Sequence, residues 1–66
     1  MSEITVRQEK QHLTRIDGFI AIESYAVFSW HTTKAAAMAA AERMLAYRQM
    51  INEKFDIDEV PTIVER

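Results

Sequence analysis

Residues 29–34 read Ser-Trp-His-Thr-Thr-Lys, and they are the first place to look for chemistry. Three hydroxyls, an imidazole and an amine stand directly ahead of an alanine-rich run, "AAAMAAAERM". A threonine nucleophile would use His31 as its base, but it also needs a group to orient the imidazole, and the spacing supplies none. An anion would use the free N–H groups at the head of the following helix, with Lys34 adding charge. The same residues also describe an ordinary helix start, with Thr32 or Thr33 as N-cap and Lys34 in solvent. Ala35 and Ala36 occupy the positions where a capping box would place Glu or Gln. The capped start is the reading this stretch favours, with His31 and Lys34 left unexplained.

Other chemistry is sparse. No Gly-rich phosphate loop, HExxH or GxSxG is present. There is no cysteine, and His12 and His31 are the only histidines, so a zinc site would need carboxylates as well. "DIDE", Asp56 to Glu59, lacks the spacing and the glycine of a calcium loop and reads as a solvated acidic connector. The expectation is a chain without catalytic, cofactor-binding or metal-ligating residues.

Net charge is −2, and the acids concentrate in residues 52–66. Nucleic-acid binding usually shows a basic surplus on one face, which is missing here. Arg7, Lys10, Arg15, His31 and Lys34 could still gather on one edge, so a small nucleic-acid-binding protein is the second functional reading.

These residues must be positioned by few elements, because one glycine and one proline permit few special turns. The 66 residues make a single small domain, 1–66, with 52–66 as its acidic connector and final segment. Asp17-Gly18 between apolar runs signals a two-residue hairpin turn. After it, Ile20, Ile22, Ala26, Phe28 and Trp30 share the even face, which reads as the core face. Phe19, Tyr25 and Val27 share the odd face, a candidate contact patch. The expected fold is α+β: a long irregular hairpin broken near Glu9–Gln11, or a three-stranded antiparallel meander turning at Glu23–Ser24, packed on one long helix. The helix should span 33–54. One apolar strip holds Ala37, Ala40, Met44, Tyr47, Ile51 and Phe55, and a second holds Met38, Ala41 and Leu45. Residues 57–66 form a short edge strand or an extended arm, with Pro61 confined to an edge or a strand start.

A chain of this length buries only about 60% of its unfolded surface, so small domains tend to need a staple. Without cysteine, the remaining routes are a well-packed core and oligomerisation. No apolar run is long enough for a membrane span and no signal-peptide pattern appears, so a cytoplasmic protein is expected. The leading functional reading is a non-enzymatic protein–protein interaction module. It would be a homodimer, an inhibitor or adaptor of the kind phages and mobile elements encode. Phe19, Tyr25, Val27, Met38 and Leu45 are its candidate contact residues.

Overall fold

The computed structural model describes residues 3–24 and 27–66. Strands β1 (Glu3–Lys10), β2 (Asp17–Glu23) and β3 (Val27–His31) precede helix α1 (Lys34–Lys54), and β4 (Thr62–Glu65) follows it. The sheet order is β3-β2-β1-β4, with β1, β2 and β3 antiparallel in turn and β4 parallel to β1. This is the expected α+β class, and of the two strand arrangements the meander is the one observed.

Ser24 turns the chain between β2 and β3 in the left-handed region, at φ 48°. The other turn departs from the expectation. Asp17 and Gly18 are not a turn but the first two residues of β2, opposite Lys10 and Glu9. Residues 11–16 form the loop instead, closed by Gln11 N–H to the Ile16 carbonyl at 2.8 Å and Arg15 N–H to the Gln11 carbonyl at 2.9 Å. Arg15 takes the positive φ, 61°, that the glycine was expected to supply. Gly18 serves by its size, since the Trp30 indole crosses it so closely that a Cβ there would overlap the ring. The β1–β2 register also runs unbroken from Lys10↔Asp17 to Ile4↔Glu23, with no interruption at Glu9.

The helix packs on the odd face of β2, the one expected to be a contact patch and not the core face. Ile4 and Val6 of β1 share that face with their cross-strand partners Glu23, Ala21 and Ile63, and with Phe19, which alternation along β2 places on the same side. Ile4, Val6, Ala21, Ala37, Ala40 and Ala41 are the buried cluster, and Phe19, Met38, Met44, Leu45 and Ile63 pack around it. Counting large side chains favoured the even face of β2 and β3. Helix α1 instead presents alanines, whose backbone can come close only to a small residue such as Ala21. Ile4 and Val6 each contribute about 2 kcal/mol by burial.

The helix is also rolled relative to the expected strip. Its buried residues are Ala37, Ala40, Ala41 and Asn52, whereas Tyr47 and Phe55 are exposed. Polar contacts to β2 and to the 57–59 segment go with this rotation. Arg48 reaches the buried Glu23 of β2. Asn52 donates from Nδ2 to the Glu59 carbonyl at 3.2 Å, and its own carbonyl accepts from Ile57 N–H at 2.7 Å. The sheet therefore covers both apolar strips along their shared flank. Met38 and Leu45, expected to need another chain, pack on the protein's own core.

Thr33 is the N-cap, its Oγ1 accepting from Ala36 N–H at 3.2 Å. Of edge strand and arm, residues 62–65 are the strand, with Arg66 N–H extending the pairing to the Val6 carbonyl at 2.8 Å. Pro61 lies buried just ahead of the first paired residue, where its missing N–H costs no ladder bond.

Candidate functional site

The helix covers one side of the sheet and leaves the other open. On that open side stand Thr5, Arg7 and Glu9 of β1, Gly18, Ile20 and Ile22 of β2, Phe28 and Trp30 of β3, and Thr62 and Val64 of β4. Alternation in the strand registers places them together. Phe28 and Trp30, expected in the core, are on this face, and Phe28 is 65% exposed.

Trp30 organises the surface. Its ring starts on β3, crosses β2 over Gly18, and donates Nε1–H to the Glu9 carbonyl on β1 at 2.7 Å. With its polar atom satisfied, the indole is held across three strands. Ile20, between its cross-strand partners Trp30 and Arg7, is only 7% exposed despite having no helix over it. Beside this cover Ile22 lines an open depression with Glu3, Thr5, Arg7, Ser24 and Arg66.

Charge on the open side is locally balanced. Arg66 Nη2 donates to Glu3 Oε1 at 3.0 Å, and Arg7 pairs with Glu9. Apolar side chains therefore gather toward β3 and β2, and paired charges toward β1 and β4.

The Ser29–Lys34 cluster separates into different places. Ser29 and His31 lie on the helix side of β3, with Ser29 Oγ and His31 Nε2 hydrogen-bonded at 2.8 Å. Thr33 is committed to its cap and Lys34 to an ion pair with Glu65 of β4. Lys34 is thus held against the sheet beyond the helix head, and Thr33's oxygen is already used.

The basic residues considered for nucleic acid do not share a face. Arg7 is on the open side and His31 on the helix side. Lys10 sits at a strand end 3.6 Å from Asp17, Arg15 is in the 11–16 loop, and Lys34 begins the helix. Of the five protein-contact candidates, Phe19, Met38 and Leu45 pack on the core, and Val27 is half exposed at the start of β3. Tyr25 lies outside the described residues. The open-face patch was missed because parity was read against the wrong core face; the signal that finds it is the even spacing of Ile20, Ile22, Phe28 and Trp30.

The partly exposed Arg48 guanidinium is held above its ordinary pKa, first by its hydrogen bond to Glu23 and then by that carboxylate's charge. Among the described residues no group of three or more His, Cys, Asp or Glu is arranged to hold a metal ion. No helix there is long and apolar enough to cross a membrane. Comparison with protein-family models, curated proteins and solved structures gave no match.

Proposed function

We propose that this chain is a non-enzymatic protein-interaction module that holds a partner protein on the open face of its sheet. The observation that carries this reading is the placement of Phe28, well exposed, beside the pinned Trp30 and Ile22 on a face with no helix over it. Aromatic anchors on a rigid surface are what protein interfaces use most heavily. The ion pairs Arg66–Glu3 and Arg7–Glu9 on that face offer a partner little net charge. The matching surface is therefore a largely neutral, apolar one. The role we assign is that of an inhibitor or adaptor in the cytoplasm, of the small, motif-free kind carried by phages and mobile elements.

A second reading has one observation in its favour: Phe28 and Trp30 could stack bases, as aromatic residues on open sheets do in single-strand binders. Against it, Arg7, Lys10 and Lys34 each already face a carboxylate.

Immobilised protein, challenged with a lysate of its native cell before and after nuclease treatment, separates the two. The expected result is a protein retained by wild type after nuclease and lost with Phe28→Ala and with Val64→Lys. Val64 reports on the face alone, since β4 lies at the opposite edge from β3. Retention that vanishes with nuclease, together with a salt-dependent shift of labelled single-stranded DNA, would transfer the function to nucleic acid. Loss of function on alanine substitution of His31 and Lys34, with the fold intact, would reopen the enzymatic reading.

A further inference from the structure

We propose that the outer edge of β3 is a self-association surface, pairing antiparallel with β3 of a second copy about a two-fold axis at Ser29. The ladder of the sheet decides which groups are free there. Gln11 N–H bonds to the Ile16 carbonyl, and the same register continues through Lys10↔Asp17 to Ile4↔Glu23. Hydrogen-bonded and non-bonded pairs alternate along an antiparallel ladder. Gly18, Ile20 and Ile22 therefore bond toward β1, while Phe19, Ala21 and Glu23 bond toward β3, opposite His31, Ser29 and Val27. The bond from Arg66 N–H to the Val6 carbonyl agrees, because it turns the even residues of β1 toward β4. By this alternation the backbone N–H and C=O groups of Phe28 and Trp30 point off the edge of the sheet.

A two-fold axis perpendicular to the sheet keeps both open faces on one side, so even residues must meet even residues. With the axis at Ser29, Phe28 lies opposite Trp30 of the second copy and Trp30 opposite its Phe28. Each of these pairs exchanges both of its N–H···O bonds. An axis at Phe28 or at Trp30 would run the other residue off the end of the Val27–His31 strand. The side chains agree with this register. On the open side Phe28 stands opposite Trp30, whose indole lies back over Gly18 and leaves the place beside its backbone free; Val27 meets His31 on the helix side, and no like charges face each other.

The sequence of β3 also carries none of the usual edge protection: it has no proline, no lysine and no acid. The opposite edge has such residues, with Pro61 ahead of β4 and Glu65 tied to Lys34. The pairing would leave the open faces of both copies side by side and uncovered. It uses the strand edge and does not rest on that face binding another protein.

The chain has no cysteine, so one introduced thiol gives a clean reading. At a non-bonded antiparallel pair the Cα atoms stand about 4.5 Å apart, within disulfide reach. Ser29→Cys should therefore couple to a covalent dimer under mild oxidation. Val27→Cys should not, since its two copies would lie about 13 Å apart along the strands. Light scattering should give twice the monomer mass for wild type and the monomer mass for Phe28→Pro, with unchanged circular dichroism. The proline removes an N–H directed outward, so the bonds to β2 stay. If that variant does not fold, the cysteine pair alone decides. A monomeric wild type, coupling of Ser29→Cys no faster than Val27→Cys, or a dimer indifferent to Phe28→Pro overturns the proposal. So does a monomer that takes up an extended peptide on this edge.

Discussion

Arg48 of the helix holds both carboxylate oxygens of Glu23 on β2, Nε to one at 3.1 Å and Nη2 to the other at 2.7 Å. The Glu23 side chain is 7% exposed and that of Arg48 31% exposed, so the acid is the member that depends on the pair. Removing one partner of a fully buried pair costs about 3–5 kcal/mol, and the partial exposure of Arg48 lowers this. Arg48→Met should destabilise the fold by about 2 kcal/mol in urea denaturation, by leaving Glu23 buried with no cation. The double variant Glu23→Leu with Arg48→Met should regain part of that loss. A double variant weaker than Arg48→Met alone would contradict the account.

The pH dependence of this pair follows from the raised guanidinium pKa. A group whose pKa rises on folding contributes fully below its unfolded value, and that contribution is lost only as pH climbs through the folded one. Both values lie in the guanidinium range or above it. The stability gap between wild type and Arg48→Met should therefore be flat from neutral to mildly alkaline pH, as followed by urea midpoints.

Gly18→Ala should disturb the open face from beneath. The added methyl would overlap the Trp30 ring and come within 2.5 Å of the His31 carbonyl oxygen. Overpacking of this kind costs about 1–3 kcal/mol. Trp30 is the only tryptophan in the chain, so its fluorescence should report the ring leaving Gly18 and the Glu9 carbonyl as a red shift. An unshifted spectrum with full stability would show that the strands yield instead of the ring.

The start of the helix should separate its two roles. Thr33→Ala removes the oxygen that accepts Ala36 N–H and should cost about 1 kcal/mol. Lys34→Ala removes an exposed ion pair with Glu65 and should cost less than about 0.5 kcal/mol. Thermal melts of the two variants side by side give the comparison.

The helix was legible because its signals are local. A threonine precedes an alanine-rich run with helical spacing, and the expected 33–54 differs from Lys34–Lys54 plus its cap by nothing of consequence. The final strand could be read from Val60 to Val64 and the position of Pro61. What misled was the face. Ile20, Ile22, Phe28 and Trp30 look like a core because side-chain size dominates a pattern count. The helix pairs its alanines with Ala21, and only the pairing of Ile4 and Val6 with that strand reveals it. Asp-Gly misled in a similar way. Glycine at a chain reversal and glycine under a tryptophan are identical in sequence, and which applies depends on a residue in another strand. The candidate site was therefore present as a spacing, but assigned to the inside of the molecule.

The parallel pairing of β4 with β1 sets Glu3 against Thr62, almost the full described chain apart. During synthesis β1 leaves the ribosome before β4, and one side of it must wait for that strand. Until Thr62–Glu65 arrives, Ile4 and Val6 lack their last neighbours, and a bare strand edge is open to any other chain nearby. The sheet thus closes like a clasp whose two halves are made at different times, and the final topology forms only once β4 has been synthesised.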